Sequence, residues 1–96
     1  MHLEIVSPEA VLFSSTVDSI SVPGTDGEFQ MLNNHAAVVS TLEQGSIKIH
    51  VHTQEHLELD ELHAKIVTHS DDDKVLTLSI SSGTIELKDN KAIILV

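Results

Sequence analysis

Val22-Pro23-Gly24-Thr25-Asp26-Gly27-Glu28-Phe29-Gln30-Met31-Leu32-Asn33-Asn34-His35-Ala36-Ala37-Val38-Val39-Ser40-Thr41 carries two turn signals, each followed by an apolar run. Pro23-Gly24 and Asp26-Gly27 bracket Thr25, which predicts a tight double turn where the glycines take positive φ without a Cβ clash. Glu28 to Leu32 then reads as a short strand, and Asn33-Asn34 as a second turn, because Asn tolerates left-handed backbone geometry. Ala36 to Leu42 returns to strand. Few generic β domains need that order, and the rest of the chain reads as a scaffold holding the Asn33-Asn34-His35 corner.

Toward the N-terminus, Leu3-Glu4-Ile5-Val6-Ser7 alternates and stops at Pro8, as suits a strand ended by a residue that cannot donate to the ladder. Pro8-Glu9-Ala10 turns, and Val11-Leu12-Phe13 resumes. Val17, Ile20 and Val22 continue inward, with Asp18, Ser19 and Ser21 facing solvent. The three-residue step from Val17 to Ile20 predicts a bulge near Asp18 or Ser19.

Toward the C-terminus, Glu43-Gln44-Gly45 turns and Ser46 to His52 alternates, so Ile47, Ile49 and Val51 face the core and Lys48, His50 and His52 face out. From Thr53 to Asp73 the pattern mixes helical spacing at Leu59, Leu62 and Ile66 with β-branched residues. A hairpin onto Val75 to Ile80 is the favoured reading. Ser81-Ser82-Gly83 and Asp89-Asn90 are further turns, flanking strands at Thr84 to Leu87 and Lys91 to Val96.

About eight to ten short strands with regular turns make this an all-β protein, an antiparallel β-sandwich or flattened barrel forming one domain over residues 1–96. With two phenylalanines and neither Trp nor Tyr, the core must be built from Val, Ile and Leu. No apolar run reaches the roughly 20 residues of a membrane helix, and the start lacks a signal peptide's basic residues, so a soluble cytoplasmic protein is expected. Without cysteine there is no disulfide or thiolate chemistry.

The net charge of −10, with five lysines and no arginine, argues against nucleic acid and anionic lipid, both of which need clustered cations. No Gly-x-Ser-x-Gly elbow or phosphate loop is present, and Glu55, Glu58, Asp60 and Glu61 read as an acidic surface run rather than an acid and base pair. No catalytic residues, cofactor or resident metal are assigned. A rival reading comes from His50 and His52, two apart on one strand face, with His56 close behind. Those three, or the first two with Glu55, would make a small metal- or ligand-binding sandwich. As outward residues of an amphipathic strand they would do neither.

The ordered series Leu3 to Glu9, Leu12-Phe13-Ser14, Val17-Asp18-Ser19-Ile20, Val22 to Phe29, His35-Ala36, Ser40-Thr41-Leu42, Gly45 to Ile49, Ser81 to Leu87 and Ala92 to Val96 resembles the N-terminal β-sandwich of the epsilon subunit of bacterial F-type ATP synthases. The resemblance spans most of the chain. It implies a non-catalytic rotor subunit of the central stalk, joining the gamma subunit to the c-ring in proton-coupled ATP synthesis. It also implies a place on the cytoplasmic face of the bacterial inner membrane, peripheral through the complex. Partner contacts are expected at Glu28, Phe29, Gln30, Met31, Asn33, Asn34, His35 and Thr41. Glu28 would face a c-ring arginine or polar loop, and His35 the gamma or c-ring edge.

Three departures stand beside it. Gln30 replaces the family's usual Gly, and Asn33-Asn34-His35-Ala36-Ala37 stands for Pro-Gly-His-Ala-Pro. Residues around 53–73 read as an acidic, His-rich insert. A chain ending at Val96 lacks the family's C-terminal helical hairpin, from which coupling without helix-mediated inhibition or ATP sensing is expected.

Overall fold

The computed structural model describes residues 1–51, 66–68 and 75–96. In chain order the strands are β1 (His2–Val6), β2 (Val11–Thr16), β3 (Ser19–Gly24), β4 (Gly27–Leu32), β5 (Val38–Leu42), β6 (Gly45–His50), β7 (Ile66–Thr68), β8 (Val75–Ile80), β9 (Gly83–Lys88) and β10 (Lys91–Leu95). The all-β expectation holds, and the described residues contain no helix.

One half of the sheet runs β2-β1-β10-β9-β5; the other runs from β3, with β4 on one edge, through β6 and β8 to β7. Gly24 opposite Leu42 is the register pair that joins them. The sheet therefore curls, and the inner faces of both halves close on one core. Leu3, Ile5, Ile85, Leu87, Ala92 and Ile94 come from the first half, and Ile20, Val22, Met31, Ile47, Ile49, Leu76 and Leu78 from the second. Branched aliphatic residues on pleated strands fill this space, as the composition requires. Among the described residues pairing is antiparallel with one exception: β1 and β10 run parallel, His2 opposite Lys91 through Val6 opposite Leu95.

The step between Val17 and Ile20 is a break rather than a bulge. The Val17 N–H donates to the Met1 carbonyl at 2.7 Å and the Asp18 N–H to the His50 carbonyl at 2.8 Å, so the chain leaves β1 and crosses to β6 in two residues. Both Val17 and Ile20 can then enter the core. A register shift occurs elsewhere, at Ile5 and Val6 opposite β2. Asp18 is exposed as expected, but Ser19 and Ser21 are buried, at 5% and 8% exposure. Strand β3 is flanked on both edges, and longer neighbours cover its short side chains: Gln30 Nε2 donates to Ser19 Oγ at 3.3 Å.

On β6 the alternation stands, with Ile47 and Ile49 buried, Val51 buried just beyond, and Lys48 outward. Strand β7 pairs antiparallel with β8, Val67 opposite Thr77, in keeping with the favoured hairpin. The remainder of the expected 53–73 insert lies outside the described residues.

Candidate docking surfaces

The β3–β4 hairpin is a single turn. Gly24 pairs with Gly27 across Thr25-Asp26, and of the two glycines only Gly27 takes positive φ, at 120°. Gly24 is needed for space: a Cβ there would lie 2.7 Å from Phe29 Cε1 and 2.9 Å from the Gly27 carbonyl oxygen. Beyond the turn, β4 alternates. Glu28, Gln30 and Leu32 point out, Met31 is fully buried opposite Ile20, and Phe29 packs partly buried against the core. The exposed Glu28 carboxylate reaches across β3 to Lys48 Nζ at 3.8 Å.

The Asn33-Asn34-His35 corner is at the far end of β4, about 17 Å from Glu28 by strand rise. Asn34 has φ of 62°, as its left-handed reading requires, and the His35 N–H donates back to the Leu32 carbonyl at 3.1 Å. Two other elements hold the corner. Asn33 Oδ1 accepts from the Met1 amino group, and the Asn34 N–H donates to Asn90 Oδ1 at 2.8 Å. Asn90 lies in the β9–β10 hairpin, where Asp89 and Asn90 have φ of 51° and 62°, the signature of a type I′ turn. His35 Nδ1 donates to the Ala36 carbonyl at 2.7 Å and stays exposed.

The residues expected at partner contacts thus fall on separate surfaces. Glu28 and Gln30 belong to the outer face of β4, β3, β6 and β8. Thr41 belongs to the outer face of β5, β9, β10, β1 and β2, with Asn34 and His35 at its border beside Lys88. Phe29 lines a cleft between the hairpin tip and β5, and Met31 lines none of these because it is core.

Among the described residues four large apolar side chains are exposed: Val39 at 82%, Leu32 at 59%, Val11 at 57% and Leu95 at 53%. Val11 is opposite Val6, and Val6 opposite Leu95, so three adjacent strands carry an unbroken apolar row on the Thr41 face. None of these exposed apolar side chains is among the residues expected from the sequence at partner contacts. The row's signal was present in the strand phase, since Leu3 and Ile5 being inward forces Val6 outward.

Among the described residues no cluster of three His, Asp or Glu side chains could hold a metal ion. His50 is half-buried on β6, while His52, Glu55 and His56 of the rival metal reading lie outside the described residues.

The family profile described as ATP synthase, Delta/Epsilon chain, beta-sandwich domain matches residues 1–61. An ATP synthase epsilon chain of Campylobacter jejuni (strain 81-176) is 38% identical over 81 residues, covering 82% of this chain and 60% of that one. One of Leptospira interrogans is 33% identical over 95 residues, covering 99% of this chain and 59% of its own length. This chain therefore spans about three fifths of these curated relatives. A chain in the cryo-EM structure of the Tetrahymena thermophila mitochondrial ATP synthase central stalk and c-ring shares the fold, with TM-score 0.65 at 13% identity, over 99% of this chain and 61% of that one. With a family profile matching more than half of it and close relatives across nearly all of it, this chain belongs to the ATP synthase delta/epsilon-chain β-sandwich family.

Proposed function

We propose that this protein is a non-catalytic central-stalk subunit that joins the gamma subunit to the c-ring of a proton-coupled F-type ATP synthase, on the cytoplasmic side of a bacterial membrane. The observation that carries this reading is family membership combined with two separate exposed faces on one stiff sheet. A connector must hold two partners at a fixed geometry, and a closed β core does so without a hinge.

The outer face that carries Glu28 also presents Gln30 and Lys48 beside the exposed Leu32, and its polar groups suit the c-ring's polar loops. Its Lys48 pair is exposed, worth about 1 kcal/mol or less, and easily exchanged for a partner cation. The face bounded by His35 and Thr41, with its Val11-Val6-Leu95 row, suits the larger, drier contact with gamma.

Capture of purified gamma and of purified c-ring on the immobilised chain tests this. Both are expected to bind, Leu95→Asp weakening gamma alone and Glu28→Lys weakening the c-ring alone. Failure of the wild-type chain to retain gamma would defeat the reading.

A further inference from the structure

Lys88 and Lys91 stand directly opposite each other across the β9–β10 hairpin, and both are exposed. Like charges so placed destabilise an antiparallel pair. Among the described residues the one ion-paired lysine is Lys48, on the other outer face. Glu86 and Glu4 are a diagonal step from Lys91 in the ladder, yet neither pairs with it. Lys91 faces His2 on β1, and Lys88 borders the cleft beside Asn34 and His35.

Along the same strands the character of this face changes. Two residues past Lys91 comes half-buried Ile93, and two further comes Leu95 in its apolar row with Val6 and Val11. From Lys91 to Leu95 is four residues, about 13 Å of strand. One end of this sheet face thus carries two lysines, with the carboxylates of Asp89, Glu86 and Glu4 beside them, and the other end an apolar row, in a chain of net charge −10.

We propose that the Lys88-Lys91 pair is a docking point for carboxylates of the gamma subunit, set about 13 Å from the apolar side chains that cover Val6, Val11 and Leu95. This rests on gamma being the partner of this face, as argued above. A carboxylate placed between the two ammonium groups relieves their mutual repulsion, so the pair gains more from an anionic partner than either lysine would alone. Further along the same face the charged side chains are the carboxylates Glu4 and Glu86, which would repel such a partner there. The pair therefore fixes which way round gamma sits, the role charge plays best at the rim of an interface.

Association of gamma with the intact chain, followed by interferometry over a salt series, supplies the test. Lys88→Glu/Lys91→Glu is expected to slow association roughly tenfold at low salt, the difference fading as salt screens it. Lys88→Gln/Lys91→Gln should fall between. Lys48→Glu, a charge reversal on the other outer face, should change the rate less than Lys88→Glu alone. Melting curves confirm that the variants are folded. An unchanged or faster rate in the double reversal overturns the proposal while leaving gamma as partner, since a basic gamma surface would attract the new carboxylates. If the wild-type chain fails to bind gamma at all, the partner reading falls and this proposal with it.

Discussion

Met31 shows how a single position decides between packing and docking. Its side chain is fully buried opposite Ile20, so its removal should act on folding. Met31→Ala is expected to lower the unfolding free energy by about 2–5 kcal/mol in urea titration, and the volume-conserving Met31→Leu by less than about 1.5 kcal/mol. Wild-type stability for Met31→Ala would contradict its burial. Gly83 makes a second demand at this scale, because a Cβ there would meet the Leu95 carbonyl oxygen at 2.5 Å, and backbone cannot swing aside as a side chain can. Gly83→Ala is therefore expected to cost about 1–3 kcal/mol, read from the same titration. Met31's burial was legible in the strand period: Glu28, Gln30 and Leu32 share one face and Met31 the other. A contact surface made of every residue in the block is incompatible with that period. Gly83's requirement was not legible, because it comes from Leu95 on β10, twelve residues along the chain.

The β9–β10 hairpin is the element that ties the Asn corner down. Asp89 and Asn90 both adopt positive φ, and Asn90 also lends its Oδ1 to the Asn34 N–H. Asn90→Gly keeps a residue at ease in the left-handed region but removes that acceptor. Global stability should stay within about 1 kcal/mol of wild type, the scale of a single hydrogen bond, while the Asn34 amide exchanges with solvent faster. Unaltered exchange at Asn34 would show that the hairpin does not support the corner. Both turns were readable from Asn-Asn and Asp-Asn, because these side chains announce left-handed backbone locally. Their contact was not: it spans 56 residues, and no local pattern encodes it. The same gap explains Val17 and Ile20, whose spacing suggested a bulge until the strands they join were seen to have different partners.

At the scale of the molecule, the fold class followed from alternation and turn spacing, and the family from an ordered run of motifs. Alternation reports which residues share a face, yet not which strands stand side by side. Two valines and a leucine on β1, β2 and β10 form one surface only through the pairing of those strands. The expected set of docking residues divided for the same reason, since β4 with Glu28 pairs into the β3-β6-β8 half while β5 with Thr41 pairs with β9 in the other. Reversing charge at Glu28 should consequently leave gamma affinity within twofold while weakening c-ring capture, about 0.4 kcal/mol being the allowance that factor implies. Equal loss of both partners would mean that the two faces are not independent.

The parallel pairing of β1 with β10 has a mechanical consequence. Five residues of the first strand are matched to five of the last, side by side and pointing the same way. A force applied to the start of β1 and the far end of β10 slides one strand along the other, loading the whole ladder at once rather than unzipping it bond by bond. Stretched between its ends, the domain should resist as a brittle clasp, yielding in one abrupt event.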